Sequence, residues 1–148
     1  EICAALGGRA AESLFFDKVS TGALSDLEKV TKQAYAMVSI YGLSQKLGNI
    51  SYYDSSGQNT GFTKPYSEER AKLIDSEVSS LIEEQYNRAL SVLKKNKKKV
   101  EELANALLTN EVIFKDNLIS IFGARKWKSY DEEKLEETDL KKTKKKSS

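Results

Sequence analysis

From Tyr66 to about Leu93, apolar residues return at intervals of three and four, with neither proline nor glycine to interrupt them. Ala71, Ile74, Val78, Leu81, Ile82, Gln85, Ala89 and Val92 or Leu93 fall on one stripe, the pattern of an amphipathic helix with one face to bury. Pro65, the only proline, stands just upstream. Ser67 is placed to cap the helix, and Glu68 and Glu69 put negative charge at the positive end of its dipole. Such a stripe needs other helices to cover it.

The rest of the chain supplies them. Ile2, Leu6, Ala10 and Leu14 have helical spacing across Ile2–Phe16, interrupted by Gly7-Gly8. Each glycine weakens a helix by about 1 kcal/mol against alanine, so the pair is expected where another backbone comes close. A helix from about Leu24 to Tyr41 places Leu27, Val30, Ala34, Met37, Val38 and Tyr41 on one face, and Gly42 follows as a left-handed cap. Shorter helices are expected around Val100–Leu108 and Lys115–Phe122, with Gly123 as the last cap. The run Lys94–Lys99 marks the end of the long helix and a tight turn; it reads as a solvated helix end or as a site for an anionic partner. Ile74, Val78, Leu81, Ile82, Leu103 and Leu107 are expected to share a core. The long central loop, Leu43–Pro65, carries Gly48, Gly57 and Gly61, and Asn49–Tyr53 has the composition of a short edge strand. The fold class expected is an all-α helical bundle.

Residues 1–123 form the domain in this reading. After Gly123 apolar groups thin out and the chain ends in a lysine-rich stretch, so residues 124–148 are expected to be a basic, disordered tail. A formal net charge of +2 does not indicate a nucleic-acid partner. No apolar run approaches the roughly 20 residues of a membrane span. Glu1 is not a natural initiator and no signal-peptide pattern follows it, so the chain is expected to be a piece of a longer one. Cys3 is the only cysteine, which excludes an internal disulfide and a thiolate metal site. Its plain reading is a small core residue. There is no histidine at all, which removes the commonest general base and the commonest metal ligand together.

Two short patterns go beyond a helical bundle: Leu6-Gly7-Gly8-Arg9-Ala10-Ala11-Glu12, and Ser20-Thr21-Gly22-Ala23-Leu24-Ser25-Asp26-Leu27. Taken alone they have plain explanations. Arg9 and Glu12, three apart on a helix, can pair on its surface; Asp26, in a first turn, can favour the dipole. Taken in order, however, Gly7–Glu12, Ser20–Ala23 with Asp26–Thr31, Tyr41–Gly48, Pro65–Glu69 and Leu73–Val78 resemble the peptidase domain of FtsH-type AAA+ zinc metalloproteases, from Glu1 to about Gly123. The stretch Lys64–Glu68 looks closest to the mitochondrial m-AAA branch and its bacterial relatives.

The resemblance implies a zinc ion held by two histidines of an HExxH helix and by an aspartate after the Ser/Thr-Thr-Gly-Ala turn, which corresponds to Asp26. Two histidines four apart share a helix face, and a carboxylate as third ligand leaves the fourth position to water. It implies that Glu12 lies near the metal without binding it, and that the HExxH helix and the ATPase module lie upstream of Glu1. It further implies zinc and ATP as cofactors of a hexameric, membrane-anchored parent acting on protein substrates. That parent would sit in a bacterial inner membrane facing the cytoplasm, or in the mitochondrial inner membrane facing the matrix, while the fragment itself would be soluble. Asp17 departs from the family where many members have glycine, and Ser13 replaces a frequent glutamate. The rival reading is a non-catalytic helical module for assembly or partner binding.

Carboxylates alone hold zinc weakly, preferring harder ions. The isolated chain is therefore expected to fold without zinc and to show no peptidase activity. Isothermal titration with zinc near neutral pH and hydrolysis of a fluorogenic peptide test both points. Submicromolar binding, or turnover that a chelator stops, would contradict the expectation.

Overall fold

The computed structural model describes residues 1–52 and 65–125, and every regular element among them is helical. In chain order these are α1 (Ile2–Ala5), α2 (Gly7–Phe16), a 3-10 turn (Thr21–Ala23), α3 (Leu24–Tyr35), a π-helical turn (Ala36–Ile40), α4 (Glu68–Lys95), α5 (Lys97–Asn110) and α6 (Lys115–Phe122). The all-α reading is correct.

Helix α4 begins where its cap dictates: the Ser67 hydroxyl accepts the Arg70 N–H at 3.3 Å. Ala71, Ile74, Val78 and Ala89 are buried on its stripe, and Leu81 and Ile82 pack half-buried against the core. Of the two alternatives at its end, Val92 is 51% exposed and Leu93 is half-buried.

Helix α3 widens at its end, where the Tyr41 N–H bonds to the carbonyl of Ala36 and the Leu43 N–H to that of Met37. The Ser39 carbonyl is thereby left for a longer-range partner, and it accepts the Tyr52 N–H at 2.8 Å. Gly42 has the expected left-handed conformation, φ +63°, and a Cβ there would stand 3.3 Å from the Ile50 carbonyl oxygen. Among the described residues 49–52 there is no strand. No sheet exists among the described residues for one to join, and the Tyr52 amide is already satisfied by Ser39; Tyr53 lies outside the described residues.

The close backbone approach is thus at Gly42 and not at Gly7-Gly8, since a Cβ on either of those glycines meets nothing within 4 Å. Asp17, where relatives of the resembled family often carry glycine, ends α2 with φ 50°. That is the left-handed region in which glycine is unstrained and aspartate is among the few tolerated alternatives.

The chain divides into two compact units, Glu1–Lys97 and Lys98–Ser148. In the first, Ile2, Leu6, Val30, Ala34, Val38, Leu47, Ile74 and Val78 form one buried cluster. Tyr52 and Tyr66 pack beside it edge to face, ring centres 5.0 Å apart. The second unit carries most of α5, which has no buried residue, and α6, where Ile121 is buried. Leu103 and Leu107 belong there, and Leu107 is 44% exposed, so neither joins the core around Ile74. Helix α5 starts at Lys97, three residues before its apolar pattern, because Asn96 alone separates it from α4. Most of the expected tail, residues 126–148, lies outside the described residues.

Truncating a fully buried core side chain removes its transfer energy and leaves a cavity. Ile74→Ala should therefore lower stability by about 2–5 kcal/mol in denaturant unfolding, whereas Val92→Ala should change it by roughly 0.5 kcal/mol or less. Equal losses would show that the core is misidentified.

Candidate functional site

The two motifs singled out in the sequence meet at Ser20. Helix α2 places Arg9 and Glu12 one turn apart, and both reach across Asp17–Val19 to the residue that starts the next element. The Glu12 carboxylate accepts the Ser20 N–H at 3.0 Å through one oxygen and the Ser20 hydroxyl at 2.7 Å through the other. The Arg9 guanidinium donates to the Ser20 carbonyl at 2.9 Å. The Ser20 hydroxyl oxygen in turn accepts the Gly22 N–H at 3.1 Å, capping the 3-10 turn. Arg9 and Glu12 therefore share a partner in place of the surface pair their spacing suggested.

The Ser20 amide, with help from the Ser20 hydroxyl, holds the Glu12 carboxyl below its ordinary value of 4.5; the nearby Arg9 charge acts in the same direction. Both donors favour the ionised form.

Asp26 is the third residue of α3 and is half-buried. Its carboxylate has no hydrogen bond or ion pair among the described residues. Downstream, Val30 and Ala34 anchor the same helix in the core. A carboxylate in this setting fits one position in a metal's ligand set. The chain has no histidine, and no three Asp, Glu or Cys side chains converge among the described residues.

The Tyr41–Gly48 motif serves a different purpose. The hydroxyl of buried Ser44 donates to Glu77 at 2.8 Å and Lys46 pairs with the other Glu77 oxygen at 2.6 Å, so the start of the central loop is fastened to α4. Lys46 and then Ser44 hold the Glu77 carboxyl below the usual range. Tyr35 donates to Asp75 at 2.6 Å and ties α3 to α4 on another face. Sequence spacing disclosed neither link. Nor did it disclose the part played by Arg9, because contacts between distant residues across a turn leave no periodic trace.

The description "Peptidase family M41" matches residues 1–121. The ATP-dependent zinc metalloprotease FtsH of Parabacteroides distasonis is 59% identical over 136 residues, which are 92% of this chain and 20% of that protein. The protein of the same name in Karelsulcia muelleri is 55% identical over 82% of this chain and 20% of its own length. The mitochondrial inner membrane m-AAA protease component AFG3L1 of Mus musculus is 44% identical over 93% of this chain and 18% of its own. The chain thus spans about a fifth of the length of these relatives.

Because Glu12 has a lowered native pKa, its contribution to stability is fully present above pH 4.5 and fades as the pH falls through the native value. Glu12→Gln should flatten that part of the pH profile. Denaturant midpoints measured from neutral pH to below 4.5 test this; superimposable wild-type and variant profiles would count against the ionised contact.

Proposed function

This chain belongs to peptidase family M41, and on that premise we propose that it is the C-terminal part of the peptidase domain of an ATP-dependent zinc endopeptidase. The observation that carries the reading is Asp26, a carboxylate with no partner among the described residues, in the first turn of a helix anchored by Val30 and Ala34. In this reading Asp26 is the third zinc ligand. Two histidines of an HExxH helix elsewhere in the longer protein complete the set, and Glu12 supports the turn without binding the metal. When bound, zinc lowers the pKa of its water and polarises the scissile carbonyl. The contribution of this chain is positional: the core holds α3, and α3 holds one negatively charged ligand at a fixed place.

Residues 1–123 constitute the peptidase part and residues 124–148 a basic extension. The longer protein would be anchored in a membrane and assembled as a hexamer, unfolding protein substrates with ATP before cutting them. The names of the relatives, which include bacterial FtsH and a mitochondrial inner membrane component, support either location. No described helix of this chain is long and apolar enough to cross a membrane, so the anchor would lie elsewhere in the longer protein.

In the full-length protein, Asp26→Asn should abolish proteolysis and most zinc retention while ATP hydrolysis continues. Casein degradation, metal content and phosphate release measure the three. A carboxylate serving only the helix dipole would contribute about 0.3–1 kcal/mol to stability and nothing to activity. Normal degradation with full zinc in Asp26→Asn would show that the ligand is elsewhere.

A further inference from the structure

We infer that Arg9 is a positioning residue for Asp26, acting through the main chain of Ser20. The inference rests on the reading of Asp26 as a metal ligand and adds a residue to it. Asp26 lies between two anchors. Downstream, Val30 and Ala34 are buried and hold the body of α3. Upstream, the anchor is Ser20, held from both sides of its backbone: Arg9 on the carbonyl and Glu12 on the amide and hydroxyl.

What lies between transmits the constraint. The 3-10 turn Thr21–Ala23 runs directly into α3, the Leu24 N–H bonds back to the Thr21 carbonyl, and Gly22, the flexible residue, is tied to the Ser20 hydroxyl. A shift of Ser20 therefore moves the first turn of α3 with it.

Apolar packing contributes little to this upstream anchor. Val19 is 52% and Leu24 73% exposed, and only Ala23 of the turn is buried. The turn is held chiefly by hydrogen bonds, and those to Arg9 and Glu12 are charge-assisted, which makes them the stronger kind.

The test has two parts. In the 148-residue chain, Arg9→Met should speed amide hydrogen exchange at Ser20 and Gly22 by about tenfold, as expected for one lost hydrogen bond. Exchange at Val30 and Ile74 in the core should stay unchanged. In the full-length protein, Arg9→Met should weaken zinc retention against a chelator by about 10–100-fold, the usual effect of removing a group that orients a ligand, with ATP hydrolysis intact. Arg9→Lys, which returns one charged donor, should recover part of both effects. If Arg9→Met does not fold, Arg9→Gln reads the same two quantities.

Unchanged exchange at Ser20 and Gly22 overturns the clamp. Faster exchange with unchanged zinc retention overturns the link from clamp to ligand. A fully active, zinc-loaded Asp26→Asn protein overturns the reading of Asp26 itself, and the exchange measurement still reports whether Arg9 holds the turn.

Discussion

The apolar seam shared by α3 and α4 is the constraint from which the remaining geometry of the first unit follows. Val30 and Ala34 of α3, with Val38 of the π-helical turn, are buried in one cluster with Ile74 and Val78 of α4. Ala34 is fully buried in this seam, and Ile2 and Leu6 from the N-terminal segment complete the cluster. A few tightly buried aliphatic side chains contribute several kcal/mol together, more than the exposed ion pair Lys32–Glu28 can supply. The polar links across the same helices have another role. Tyr35–Asp75 and Ser44–Glu77–Lys46 set the register of elements that the core has already brought together.

The candidate site sits at the margin of that core, where hydrophobic burial gives out. Beyond Val30, towards the N-terminus of α3, Ala23 is buried but Leu24 is exposed, so the turn depends on directional contacts. Arg9, Glu12 and Ser20 provide them. Hydrogen bonds suit this task because they weaken steeply with distance and angle, whereas apolar contacts are indifferent to direction. A ligand held at a fixed place needs that directionality.

The chemistry available to this chain is correspondingly partial. It offers a carboxylate on a well-supported helix but no imidazole, and it matches about a fifth of the length of its relatives. In the function proposed, the metal site is divided between segments, so that the geometry of one segment matters only relative to the other. On that proposal, Arg9 would act on the metal only through the main chain of Ser20, to which it donates.

Local order was largely legible in the sequence. The stripe of α4, its Ser67 cap, the left-handed Gly42 and the limits of α6 all follow from periodicity and capping, which act within a few residues. The resemblance that singled out Asp26 and Glu12 likewise needed only ordered motifs. Three of the expectations that the structure corrected concern partners distant in the chain: the strand expected over Asn49–Tyr53, of which residues 49–52 are described, the close approach expected at Gly7-Gly8, and the inclusion of Leu103 and Leu107 in the first core. Periodicity states which face of a helix is apolar but not which neighbour covers it. The Ser39 carbonyl meeting the Tyr52 amide and the joint hold of Arg9 and Glu12 on Ser20 likewise appear only once the helices have packed. Local propensity is set by neighbours along the chain; partner choice is set by the packing of whole elements, and only the tertiary structure decides it.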